Sequence, residues 1–141
     1  MSPTRVSAAL RQQVRERANG LCEYCLLAEE QAFLPHEPDH IIAEKHGGAT
    51  TPENLAWSCF DCNRLKGSNI ASLDPVSGEL VSLFNPRRKR WIEHFRIEGG
   101  RIIPITPTGR VTEQVLKLNL PERLEVRETL TSIGRYPLST E

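Results

Sequence analysis

Cys22-Glu23-Tyr24-Cys25, Asp39-His40-Ile41-Ile42, His46-Gly47-Gly48, Asn54-Leu55 and Cys59-Phe60-Asp61-Cys62-Asn63-Arg64-Leu65-Lys66-Gly67 follow one another in this 141-residue chain. All four cysteines lie in that stretch, as two CxxC pairs. A two-residue gap lets both thiolates of a pair face one ion, so two such pairs have the spacing of a tetrahedral zinc site with four sulfur ligands. Disulfides are disfavoured in the cytosol, where the chain is expected. A redox CxxC and four buried free thiols are the competing readings of the same cysteines.

Outward from the knuckles, Ser7 can cap a helix over about Ala8 to Ala18, with Leu10 and Val14 on one face and Gly20 just past its end. Residues 26–38, with Pro35 and Pro38, read as a loop into a short strand at about Asp39 to Ala43. His46-Gly47-Gly48 breaks that strand, and Leu55-Ala56-Trp57 is an antiparallel partner. The second knuckle opens a helix over about Phe60 to Asn69. The result is strand, loop, strand, helix.

The rest of the chain reads as a small mixed extension, about residues 71–134. Asp74 to Glu79 is a turn between the apolar stretches Ile70–Leu73 and Leu80–Phe84. Ile102 to Ile105 followed by Pro107-Thr108-Gly109 suggests a strand and turn, and two helices follow, over about Thr112 to Leu118 and Pro121 to Ile133. The second carries Pro at its first position and an apolar spacing of Leu124, Val126, Leu130 and Ile133. A frayed tail is expected after Gly134. The fold class is therefore α+β, a single domain over residues 1–141 with its core at about 20–70.

Eighteen Lys plus Arg balance eighteen Asp plus Glu, which argues against a uniformly basic nucleic-acid binder. Their distribution is uneven. Residues 1–20 carry four basic and one acidic side chain, residues 21–62 one and eight, and residues 84–101 six and two. An acidic centre between basic flanks suits a site that holds cations and grips a polyanion; ordinary charge scatter is the plain alternative. No apolar run is long enough to span a membrane, and Met1 to Val14 lacks the pattern of a signal peptide, so the expectation is a cytoplasmic protein without a membrane partner.

The ordered motifs between and around the knuckles resemble the HNH endonuclease family, the ββα-metal nucleases, in the subgroup held by two CxxC knuckles. The resemblance covers residues 22–67, about a third of the chain. Leu83-Phe84-Asn85-Pro86-Arg87, Trp91, His94-Phe95, Thr108-Gly109-Arg110 and Leu118-Asn119 also resemble the C-terminal extension of a bacterial HNH subgroup. The implied core is a zinc-stapled ββα unit. The implied activity is metal-dependent hydrolysis of phosphodiester bonds in DNA, and double-stranded DNA is the expected partner.

That chemistry needs a nucleophilic water, a cation on the phosphate oxygens and tolerance of charge at phosphorus. By the resemblance, Asp39 holds the catalytic Mg2+ or Mn2+ through a carboxylate oxygen, and Asn63 supplies a second ligand through its amide oxygen. His40 is the general base, an imidazole having an ordinary pKa of about 6.5, near working pH. Neighbouring strand residues point to opposite faces, so Asp39 and His40 share a cleft only where the strand gives way to a loop. Asn54 is expected to hold the loop that aims His40.

His46 could touch phosphate or shape its loop; Arg64, Lys66 and the run Arg87, Arg88, Lys89 and Arg90 are candidates for phosphate contact, with solubility as the alternative. His36 is a weaker candidate, and His94 reads as a packing or capping residue of the extension. Zinc, with its shell closed by Cys22, Cys25, Cys59 and Cys62, is expected to be structural. A non-catalytic zinc module that binds nucleic acid or protein is the rival reading. Cutting both strands with one site per chain would favour a homodimer or two encounters.

Overall fold

The computed structural model describes residues 6–138. The Ser7 hydroxyl accepts from the Leu10 N–H at 3.1 Å and opens α1, Ala8–Arg17, satisfying one of the donors that a helix leaves unpaired at its start. Asn19 and Gly20, at φ 55° and 73°, then turn the chain away. Val14 and Leu10 pack against Leu55 and Trp57 in a small apolar cluster. Arg17 reinforces that contact by donating to the Pro52 and Leu55 carbonyls at 2.9 and 2.6 Å.

The central hairpin pairs β1, Glu37–His40, with β2, Leu55–Ser58, setting Asp39 opposite Ala56 and His40 opposite Leu55. The expected strand over residues 39–43 is displaced towards the N-terminus and ends at His40. It ends there because the Asn54 side chain takes over the backbone of Ile42, accepting from its N–H and donating to its carbonyl. Pro38 is tolerated because a two-stranded ladder leaves β1 one open edge. Helix α2, Phe60–Lys66, is capped by Cys59, whose sulfur accepts from the Cys62 N–H. It stops at Gly67, φ 51°, short of the expected end at Asn69.

In the extension, β3, Ala71–Leu73, and β4, Leu80–Ser82, form a hairpin around the Asp74 turn. A further hairpin joins β5, Phe95–Glu98, to β6, Arg101–Pro104. Its first strand goes beyond the sequence reading, although Phe95 and Ile97 alternate with polar residues into the Gly99-Gly100 turn. Helix α3, Pro107–Leu116, begins earlier than the expected Thr112. Thr106 caps it by accepting from the Gly109 N–H at 3.0 Å, and Pro107 sits where no N–H is needed, so Pro107-Thr108-Gly109 is a helical turn. Arg110 of α3 donates to both carboxylate oxygens of buried Asp74, at 2.8 and 2.9 Å, and ties the β3–β4 hairpin down.

Helix α4, Pro121–Ser132, corrects the expected apolar face. Val126 and Ile133 are 43% and 63% exposed, whereas Arg123, Arg127 and Leu130 are buried. The arginines can lie inside because the interior offers them acceptors. Arg127 donates to the Gly100 carbonyl at 2.7 Å and to Asn119 Oδ1 at 2.9 Å, and Arg123 donates to the Leu116 carbonyl at 2.7 Å. Nor does the chain fray directly after Gly134: Tyr136 is buried and its hydroxyl donates to the Cys25 carbonyl at 2.7 Å. The rest of the expected tail, residues 139–141, lies outside the described residues.

The architecture is α+β, four α-helices with three separate two-stranded antiparallel sheets among the described residues. One contiguous apolar cluster runs from the knuckles through Ile41 and Ala56 to Phe84, Trp91, Ile102, Leu116 and Tyr136. Among the described residues, no helix is long and apolar enough to cross a membrane.

Candidate metal centre and active site

Each knuckle is a tight turn whose backbone serves its own sulfur: the Cys25 N–H donates to Cys22 Sγ at 3.5 Å, and the Cys62 N–H to Cys59 Sγ at 3.4 Å. The four Sγ atoms lie within 4.8 Å of one another, all buried, with Cys25 and Cys59 3.7 Å apart. A tetrahedral zinc with bonds of about 2.3 Å separates its sulfurs by about 3.8 Å, so the four cysteines fit that ion. Burial pushes the Cys22 and Cys62 thiols well up, while hydrogen bonds from Cys22, Cys59 and Cys62 hold Cys25 well down. Metal binding must therefore expel protons from a buried cluster, and it closes the coordination shell.

The extension grips this centre. Trp91 donates from Nε1 to the Tyr24 carbonyl at 2.9 Å and Tyr136 holds the Cys25 carbonyl, both on the first knuckle. Arg123 reaches the second, with Nη2 3.0 Å from Cys62 Sγ and 3.8 Å from Cys59 Sγ. Arg123 and Tyr136 lie outside the sequence reading, and Trp91 enters it only as part of the extension motif, because nothing local marks a residue that contacts the knuckles from so far along the chain.

His40 occupies the last position of β1, with Nε2 2.8 Å from Thr50 Oγ1. Asn54 braces the connecting loop. Its Oδ1 accepts from the Ile42 N–H at 2.9 Å, and its Nδ2 donates to the carbonyls of Ile42 and Ala49 at 2.9 and 2.8 Å. Gly48 lies beneath that brace, where an added Cβ would sit 1.7 Å from the Ile42 carbonyl oxygen and 2.8 Å from Asn54 Nδ2. Gly48→Ala must therefore break the brace. It is expected to cost about 1–3 kcal/mol, as overpacking does, and to displace His40. Urea unfolding checks the first consequence and loss of the His40–Thr50 contact in a crystal structure the second; wild-type values for both would contradict this role.

Asp39 is 5% exposed and lies in a polar interior site. The Tyr24 hydroxyl donates to Asp39 Oδ2 at 2.8 Å, and Lys66 Nζ lies 3.2 Å from the same oxygen. Burial pushes the Asp39 carboxyl up, opposed by the Lys66 charge and the Tyr24 hydrogen bond. Lys66, expected as a phosphate contact, is 1% exposed, and its ammonium also donates to the His40 carbonyl at 3.0 Å. It is an internal strut between α2 and the end of β1, because the buried carboxylate and carbonyl draw the ammonium inward. Lys66→Met leaves that carboxylate without its countercharge, at an expected cost of about 3–5 kcal/mol. The double variant Lys66→Met/Asp39→Asn should recover much of the loss in urea unfolding, and an unchanged midpoint for the single variant would contradict the strut.

Asn63 lies half-buried on α2. Arg64 is exposed, its guanidinium 5.8 Å from the centre of the Phe60 ring. The basic run divides: Arg88, Lys89 and Arg90 are exposed, but Arg87 turns inward to pair with Glu23, so this pairing corrects its expected place among the free phosphate contacts. His46 is exposed beside Gly47. His36 is a packing residue against Trp57, with Nε2 2.9 Å from the Leu27 carbonyl oxygen. His94 faces Thr106, with Nδ1 2.6 Å from Thr106 Oγ1.

A concavity of about 870 Å³ lies between α1 and residues 29–36 and is lined by neither His40, Asp39 nor Asn63. A polymer backbone needs an open edge rather than an enclosed pocket, so the candidate chemistry is located by its residues. No match is found among curated proteins or among solved structures. Residues 22–69 match the family model described as HNH endonuclease, and the four clustered cysteines fit its two-CxxC subgroup, so this segment is similar to an HNH core.

Proposed function

We propose that the chain is a metal-dependent endonuclease that hydrolyses DNA phosphodiester bonds, with His40 as general base and Mg2+ or Mn2+ held by Asp39 and Asn63. The contacts of Lys66 carry this reading. It lies one turn beyond Asn63 on α2, at the spacing that shares a helix face, and it touches both the Asp39 carboxylate and the His40 carbonyl. That shared spacing supports an Asn63 amide on the side of α2 that meets the strand end carrying the other two groups.

Each residue has a separable task. With Thr50 accepting from Nε2–H, the Nδ1 lone pair of His40 is left to take the proton of an attacking water. Tyr24 and Lys66 commit one oxygen of Asp39, leaving its second oxygen for the cation; the Asn63 amide oxygen is the other protein ligand, and both are donors of the hard type these ions take. The cation, when bound, supplies positive charge at the phosphate and leaving oxygens. Exposed His46, Arg64, Arg88, Lys89 and Arg90 would hold phosphates, giving affinity without sequence readout. Cleavage of both strands would take two copies or two encounters.

The test is incubation of zinc-loaded protein with supercoiled plasmid, with and without Mg2+ or Mn2+. Nicked or linear product that requires the added cation is expected. Intact plasmid under every condition would instead favour a non-catalytic zinc module.

A further inference from the structure

Zinc bound by four thiolates is a dianionic unit, and here all four ligands are buried. Burying such charge is costly unless hydrogen bonds and a countercharge answer it. The knuckle amides of Cys25 and Cys62 supply two N–H···S contacts but no net charge. The guanidinium of Arg123 supplies both. Its Nη2 points at Cys62 and Cys59, and its Nη1 donates to the Leu116 and Lys117 carbonyls at 2.7 and 3.2 Å. Nε lies 3.9 Å from Asp61 Oδ2. One planar fork thus joins the second knuckle to the C-terminal end of α3, from a helix of the extension.

We propose that Arg123 is the countercation of the zinc–tetrathiolate centre and that α4, by delivering it, controls how tightly the metal is kept. Nη2–H···S hydrogen bonds withdraw charge from Cys62 and Cys59, so these sulfurs attract protons and electrophiles less, and zinc leaves slowly. Arg123 is a positioning residue here, with no part in phosphodiester chemistry. The inference rests on the zinc centre alone and stands whether or not the chain cleaves DNA.

The test follows zinc release from the full zinc-loaded chain to a metallochromic chelator in native buffer, for wild type, Arg123→Met, Arg123→Lys and Arg127→Met. Loss of a partner outside the ligand shell typically changes metal affinity about 10–100-fold, so Arg123→Met should release zinc about 10–100 times faster, and Arg123→Lys by an intermediate factor. Arg127→Met separates electrostatics from packing, because Arg127 is buried on the same helix yet bonds Gly100 and Asn119 rather than sulfur. It should lower Tm while leaving zinc release near the wild-type rate. With Co2+ in place of zinc, the thiolate-to-metal charge-transfer band should move to lower energy in Arg123→Met and stay in place in Arg127→Met. Equal acceleration by the two methionine variants, or an unmoved band, would overturn the proposal. Should Arg123→Met fail to fold, release from Arg123→Lys at the wild-type rate would overturn it as well.

Discussion

Replacing His40 by alanine is expected to lower cation-dependent plasmid cleavage by about 10²–10⁴-fold, the range that a positioned general base contributes, while the protein still folds and binds DNA. The separation of effects follows from what surrounds the ring. Among the described residues its one hydrogen-bond contact is with Thr50, and the strut from Lys66 is made to the His40 backbone carbonyl, which alanine keeps. The register with Leu55 is a backbone pairing, and the Asn54 side chain braces Ile42 rather than the His40 ring, so both survive truncation. A cleavage gel, a melting curve and a DNA-binding isotherm on the same preparation therefore check the role. Wild-type cleavage by folded His40→Ala would remove His40 from the mechanism.

Removing zinc should have the larger structural effect. The apparent binding free energy of structural zinc in small domains, about 10–16 kcal/mol at pH 7, is as large as the whole folding stability of an ordinary domain, about 5–15 kcal/mol. Here the knuckles are part of the main apolar cluster, so the metal site is not a detachable appendage. Stripping the ion leaves thiols beside the buried guanidinium of Arg123 and loosens the two turns that Trp91 and Tyr136 grip through their carbonyls. Exhaustive chelation is expected to abolish the cooperative thermal transition seen by circular dichroism and to lower helix content. An unchanged cooperative melt after verified zinc removal would contradict a structural role for the ion.

What was legible in the sequence was local. Two CxxC pairs announce a metal cluster because ligand geometry is a matter of two intervening residues, and Ser7 and Gly20 mark the two ends of α1 by backbone chemistry alone. The ββα core could therefore be read within a few residues, with β1 shifted because the competitor for Ile42 was a side chain, Asn54. Long-range polar contacts were not legible. Periodicity assumes that apolar residues face inward, and α4 breaks this because Gly100, Asn119, Leu116 and the cysteine sulfurs offer acceptors to Arg127 and Arg123. The same holds for Lys66 and Arg87. Each is basic in a basic context, and its inward turn depends on Asp39 or Glu23 being brought alongside by the fold. Tyr24 and Thr50 escaped for the opposite reason: a tyrosine within a knuckle and a threonine in a loop are ordinary until the tertiary structure sets them against Asp39 and His40.

The proposed chemistry requires a second ion, distinct from zinc, at the junction of β1 and α2. Anomalous diffraction at the manganese edge from crystals of zinc-loaded protein soaked in Mn2+ would locate it. The predicted result is a manganese peak about 2.0–2.6 Å from oxygens of both Asp39 and Asn63, separate from the zinc among the four sulfurs. Manganese found only at surface carboxylates, with Asp39 and Asn63 making no metal contact, would contradict the account.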